Sequence, residues 1–140
     1  MTSSAPSLKP SAEFLRFAVA GATGFAVDAG LVLFLNSVFG WQPIVARLPA
    51  FAVALVVTWL INRAWTFKGA RAGRSVWAEF ASYGAVQVTG GATNIGVYAL
   101  VVALIGDQPL QLLFALAAGA GTGMAINYLG ARRFVFGRGA

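Results

Sequence analysis

The sequence predicts an all-α integral membrane protein with four transmembrane helices, built as two helical hairpins of the same orientation that repeat one another, both termini cytoplasmic. Three observations carry this fold class. The chain is 59% hydrophobic and only 10% charged, far from the roughly 25% charge of soluble domains, and its mean hydropathy is +0.77. Its 140 residues leave room for about four spans of roughly 20 residues with short connections. The two halves also match one another position by position.

Residues 1–10 carry Ser, Pro and Thr, without the cationic stretch, apolar core and cleavage site of a signal peptide. Residues 1–12 are therefore expected to form a short disordered cytoplasmic tail before a membrane domain over 13–137. Glu13 and Arg16 introduce the first span, about Phe14 to Phe39, which only Asp28 interrupts before the Gly40-Trp41-Gln42-Pro43 turn. The second span, about Ile44 to Phe67, carries Arg47 near its start and ends in Asn62-Arg63-Ala64-Trp65-Thr66-Phe67-Lys68, an aromatic and cationic patch suited to the headgroup layer. A polar loop with Arg71 and Arg74 follows. Phe80 to Gly106 is uncharged over 27 residues, enough to cross with tilt. After the Asp107-Gln108-Pro109 turn, the fourth span runs to Ala131 and leaves through Arg132-Arg133-Phe134-Val135-Phe136 and Arg138.

Orientation follows from the cations. Nine of the ten Lys and Arg residues lie on one side of this arrangement and Arg47 alone on the other, which puts both termini in the cytoplasm. Such a bias argues against a chain that inserts both ways, as some four-span drug exporters do.

Repeat 1 spans 13–70 and repeat 2 spans 79–137. A shift of 66 aligns Glu13-Phe14 with Glu79-Phe80, Gly24 with Gly90, Asp28 with Asn94 and Pro43 with Pro109. A shift of 69 aligns Arg63 with Arg132, Trp65 with Phe134 and Phe67 with Phe136. Each repeat starts on the same side, so the repeats are related by an axis along the membrane normal. Small residues recur every four positions, at Ala18, Ala22, Ala26 and Gly30 in the first span, and at Ala46, Ala50, Ala54, Thr58 and Asn62 in the second. The fourth span repeats this with Ala115, Gly119, Gly123, Asn127 and Ala131. These rows are expected to be faces of close helix packing, a homodimer contact, or the lining of a groove for a lipid chain.

Cys and His are both absent, which removes disulfides, thiol catalysis and the commonest metal ligands. No cofactor and no metal are expected. The net charge of +6 sits at the ends of apolar runs and not along a soluble face, so nucleic acid is not an expected partner. Asp28 lies about 18 Å along the helix from Arg16, where an ionised carboxylate costs at least about 2.5 kcal/mol unless it finds a partner, water or a proton. It is either a bridge between helices or a polar step on a substrate path, with Asn94 as its neutral counterpart. Thr23, Thr58, Gln87, Thr89, Thr93, Asn94 and Asn127 add polar groups within the spans, as packing glue or as a lining for sugar hydroxyls. Arg63, Lys68, Arg132 and Arg133, with Arg16 on the same side, either anchor the helix ends to anionic lipid or grip a phosphate, beside Trp65, Phe67, Phe134 and Phe136. No enzyme constellation is visible.

Arg16-Phe17 opening the first span, Gly21 and Gly24, Asp28, and Asn62-Arg63-x-Trp65-x-Phe67 closing the second together resemble the GtrA-like family. Asn127-Tyr128 and Arg132-x-Phe134-x-Phe136 fit the same pattern, with Ala131 in place of Asn and Phe134 in place of Trp. The resemblance covers residues 13–137. It implies a bacterial inner-membrane protein that moves a polyprenyl-phosphate-linked monosaccharide to the outer leaflet for polysaccharide synthesis, beside a membrane glycosyltransferase. On that reading Arg63 and Arg132, with Lys68, Arg133 and Arg16, hold the phosphate. Sugar hydroxyls follow Thr58, Asn62, Asn94, Asn127 and Asp28, while the prenyl chain and membrane lipids meet the aromatic rings. Four short spans enclose little, so a homodimer is expected. The alternatives are an anchoring or stabilising subunit of a glycosyltransferase, which moves no lipid, and a proton-driven exporter of the small multidrug type.

Overall fold

In a computed structural model of the chain, residues 9–69 and 74–137 are described. The tail over 1–8, Arg71 and Arg138 lie outside them. The elements run α1 (Pro10–Phe39), α2 (Pro43–Ile61), α3 (Val76–Ile105) and α4 (Pro109–Gly130). Two π-helical segments, Asn62–Thr66 and Ala131–Val135, prolong α2 and α4. No strand occurs among the described residues. Four helices, over Pro10–Phe39, Pro43–Thr66, Val76–Ile105 and Pro109–Val135, are long and apolar enough to cross a membrane. The 30 residues of α1 span about 45 Å, more than a hydrocarbon core of about 30 Å, so the helix must tilt or protrude.

The chain divides into two compact units, 1–69 and 70–140. In the first, α1 packs against α2. Pro10 supplies a preset φ in the first helical turn, where no N–H is missed, and Glu13 joins it there. The helix stops at Gly40, in the left-handed region at φ 68°. The N–H groups of Gly40 and Trp41 return to the carbonyls of Asn36 and Leu35 at 3.0 and 3.2 Å, satisfying the last turn. Pro43 then starts α2. The seam buries Phe17, Ala20 and Gly24 of α1 against Ala46, Ala50, Ala54 and Trp59 of α2.

Of the three readings of the small-residue rows, packing within the hairpin does not apply to α1. The small-residue row of α1 does not face α2: Ala22, Ala26 and Gly30 are exposed, and the buried positions are offset from them. A four-residue row drifts about 40° around the helix at each step, whereas the burial of Phe17 and Gly24 fixes the rotation of α1. At Gly24 a Cβ would collide with the methyl of Thr58.

In the second unit, α3 packs against α4. It begins at Val76, four residues before the expected Phe80, because Ser75 caps it by accepting from the Ala78 N–H at 3.2 Å. Gly106, at φ 98°, ends it, and Gln111 Oε1 accepts from the Gln108 N–H at 2.9 Å as α4 begins. Tyr83 and Gly90 are buried on α3, and Ala115, Gly119, Gly123 and Tyr128 on α4. The backbones approach closely enough that a Cβ on Gly119 would lie 2.6 Å from the Asn94 carbonyl oxygen. One on Gly123 would lie 2.8 Å from that of Gly90. Both alignment shifts thus pair with a structural fact: Gly24 meets Thr58 in one hairpin, and Gly90 meets its counterpart Asn127 in the other.

Candidate functional site

The two exits carry the same construction. In the first, the Phe67 N–H reaches back five residues to the Asn62 carbonyl at 2.8 Å; in the second, Phe136 reaches Ala131 at 2.9 Å. Each widened turn, of the kind often found at functional sites, re-aims the residues that follow it. It turns Phe67 and Phe136 inward, where they are 0% and 1% exposed. Phe67 meets Phe17 edge to face with centroids 6.3 Å apart, and Phe136 meets Tyr83 at 6.4 Å. These two rings, expected against a lipid chain, are core residues of their hairpins. Trp65 and Phe134 are the outward rings, 40% and 58% exposed.

Within the first exit, Thr66 Oγ1 donates to Asn62 Oδ1 at 2.7 Å, both side chains buried. Asn62 is therefore part of the exit's interior and not an open polar step. The second exit holds Ala131 and Val135 there, so its π turn forms without a polar pair.

Arginines clasp each exit from outside. Arg16 on α1 donates from Nη1 to the Trp65 carbonyl at 3.1 Å, and its guanidinium lies 5.1 Å from the Trp65 ring centroid. In the second hairpin the position matching Arg16 is Ser82. Arg74, from the segment before α3, donates to Ser82 Oγ at 2.8 Å and to the Phe134 carbonyl at 2.6 Å. The same carbonyl is thus held by an arginine in both repeats, reached from different places in the chain. Arg63 lies over the Trp59 ring at 5.5 Å and Arg133 over Phe134 at 5.8 Å. Arg132 is half-buried and Lys68 exposed.

The polar residues expected along a path divide between the hairpins. In the first, Asp28 pairs with Arg47 at 3.3 Å, the carboxylate side chain 13% and the arginine 65% exposed. Asp28 Oδ1 is buried without a hydrogen-bond partner among the described residues. Thr58 presents its methyl to Gly24, and its hydroxyl donates to the Leu55 carbonyl at 3.1 Å. In the second, Asn94 lies against Gly119 and Gly123, and Asn127 against Gly90. Both therefore occupy the seam of α3 and α4. Thr89 and Thr93 donate to carbonyls four residues back, at 2.8 Å each, so those hydroxyls are already engaged within their helix. Glu13 and Glu79 are buried, 1% and 4% exposed.

A groove of about 570 Å³ opens along the outside of the second hairpin, within the range of about 300–1,000 Å³ usual for ligand sites. Ser82, Ala85, Val86 and Thr89 of α3 form one wall, and Ile126, Leu129 and Gly130 of α4 the other. Arg133 and Phe134 stand at its exit end.

Residues 16–136 match the family described as GtrA/DPMS, transmembrane domain. The chain belongs to this family. GtrA/DPMS domains are associated with membrane proteins of glycan synthesis, and the match opens at Arg16 and closes at Phe136, taking in both exits. This GtrA/DPMS domain is therefore a multi-pass membrane protein.

Chemically, its exits offer guanidinium groups beside outward aromatic rings, an arrangement suited to a phosphate joined to an apolar chain. Two features of this GtrA/DPMS domain escaped sequence reasoning. The pairing of Arg47 with Asp28 was signalled by a lone cation on the side opposite all others. The clasp of Arg74 was signalled by the mismatch of Arg16 with Ser82 under the shift of 66.

Proposed function

We propose that this protein moves a polyprenyl-phosphate-linked monosaccharide across a bacterial cytoplasmic membrane for cell-surface glycan synthesis. It carries no catalytic step of its own and works as a homodimer beside a membrane glycosyltransferase, its termini in the cytoplasm. The observation that supports this reading is the duplicated exit: a π turn closing each hairpin, clasped by an arginine, with Arg63 and Lys68 beside one and Arg132 and Arg133 beside the other. A sugar phosphate dragged unpaired through hydrocarbon would leave its polar groups unsatisfied. In this reading Arg63 at the first exit and Arg132 at the second each offer a guanidinium to a phosphate, and polar side chains within each hairpin receive the sugar.

The experiment is transbilayer movement of a polyprenyl-phosphate sugar in proteoliposomes, comparing the native chain with Arg63→Ala plus Arg132→Ala and with Asp28→Asn. Movement that the double arginine variant loses is the expected result. Movement no faster than in empty liposomes, with folded protein still retaining a glycosyltransferase, would replace it with the anchoring-subunit reading. That second reading is favoured by the ion pair of Asp28 with Arg47, which gives the carboxylate a structural role between α1 and α2.

A further inference from the structure

We infer that the groove of the second hairpin seats the first part of a prenyl chain, with Arg133, Arg74 and Ser82 at its mouth holding the attached phosphate. The inference rests on the lipid-substrate reading above and places that lipid on one hairpin, giving Arg74 and Ser82 a part in holding the phosphate that the reading does not assign to them.

The groove's positions differ from their counterparts in the first repeat, Val86, Ile126 and Arg133 being longer than Ala20, Val57 and Ala64 and three others shorter. Gly130 stands where the first hairpin has Ile61, Ala85 where it has Val19, and Ser82 where it has Arg16. Each exchange shortens a side chain on the wall or the mouth. The walls are apolar, apart from Ser82 at the mouth and Thr89, whose hydroxyl is bonded within its helix.

The mouth has the opposite character. Arg133 is exposed there over Phe134, and Ser82 and Phe134, which both line the groove, are the two residues that Arg74 bonds. Two guanidinium groups and a hydroxyl therefore converge at one end of an apolar trough. Only two of the five N–H donors of Arg74 serve these bonds, and the Ser82 hydroxyl that accepts from it retains its own hydrogen to donate. From Ser82 to Thr89 the trough runs two helical turns, about 10 Å, into the span. That geometry fits a single chain entering hydrocarbon from an anionic head. A trough of this length takes one chain along one helix pair, which fits a single-chain prenyl phosphate better than both chains of a phospholipid.

The test uses the full chain in nanodiscs with a polyprenyl phosphate bearing a photoreactive group near the phosphate end. Expected is labelling at Ile126, Leu129 or Ala85 that unlabelled polyprenyl phosphate displaces and phosphatidylglycerol does not. Arg74→Ala with Arg133→Ala should weaken displacement by about tenfold or more, the scale of lost charge-assisted hydrogen bonds. Ala85→Trp, on an exposed position, should block labelling while circular dichroism and elution volume stay native. Labelling confined to the first hairpin, or equal displacement by phosphatidylglycerol, would overturn the inference. Proteoliposome transport separates the two ideas: transport with labelling elsewhere sinks the groove alone, whereas groove labelling without transport supports it and sinks the flipping.

Discussion

Arg16 holds Trp65 twice, donating to its carbonyl at 3.1 Å and lying 5.1 Å above its ring. The second repeat keeps the first contact with a different residue: Arg74 reaches the Phe134 carbonyl at 2.6 Å, and Ser82, at the position of Arg16, is drawn into the same clasp. The conserved feature of the two hairpins is thus a guanidinium on the carbonyl of the outward ring, whichever element supplies it.

That equivalence is testable by exchange. Arg74→Ala should destabilise the second hairpin by about 1–3 kcal/mol, the worth of hydrogen bonds from a charged donor, with the lower end expected because Arg74 is exposed. Adding Ser82→Arg, which recreates the first repeat's arrangement, should recover part of the loss. Unfolding by sodium dodecyl sulfate titration of the purified protein measures both. No recovery in the double variant would show that Arg74 acts elsewhere.

The glycines of the two seams should not behave alike. A Cβ at Gly90 would collide with the amide of Asn127, and one at Gly24 with the methyl of Thr58, whereas nothing lies within 4 Å of a Cβ at Gly21 or Gly91. Gly90→Ala and Gly24→Ala are expected to cost about 1–3 kcal/mol through overpacking. Gly21→Ala and Gly91→Ala should change the unfolding midpoint little. Should either of those two prove as damaging as Gly90→Ala, its helix face must meet a partner surface, and self-association measured by crosslinking would identify it.

Asp28 and Arg47 form a pair of unequal burial, 13% against 65% exposed. Removing the arginine strands a carboxylate that is mostly buried, while Asp28→Asn gives the residue found at the matching position, Asn94. Arg47→Gln should therefore be the more destabilising single change. The coupling in a double-mutant cycle should be about 1 kcal/mol, modest because Arg47 is largely in contact with the surroundings. A cycle with no coupling would mean that the two side chains do not act together.

Much of this architecture was legible in the sequence for a simple reason: in lipid, every span must satisfy its own backbone, so apolar run length and flanking cations nearly determine the elements. The runs ending at Phe39 and near Gly106 mark their helices closely. Rotation about the helix axis was less legible, because α1 carries small residues around much of its circumference and only the burial of Phe17 and Gly24 selects a face. The exits were recognisable as aromatic and cationic patches, but periodicity cannot reveal a π turn, which inserts one residue into the register. It therefore could not tell that Phe67 and Phe136 turn inward while Trp65 and Phe134 turn out. The clasp by Arg74 depends on a contact between residues 60 positions apart, beyond any local pattern.

The π turns offer the last prediction. Asn62 and Thr66 form a buried hydrogen bond of 2.7 Å inside the first turn, where the second has Ala131 and Val135. Asn62→Ala alone removes the acceptor of the Thr66 hydroxyl and should cost about 1–3 kcal/mol, the penalty for stranding a buried polar group. Asn62→Ala with Thr66→Val copies a pair that the same fold already accommodates. The double variant should therefore be less destabilised than the sum of its single changes by roughly 1 kcal/mol. Denaturant titration of the four proteins gives that coupling directly. Strict additivity would mean that the π geometry, and not the Asn62 and Thr66 bond, carries the stability of the exit.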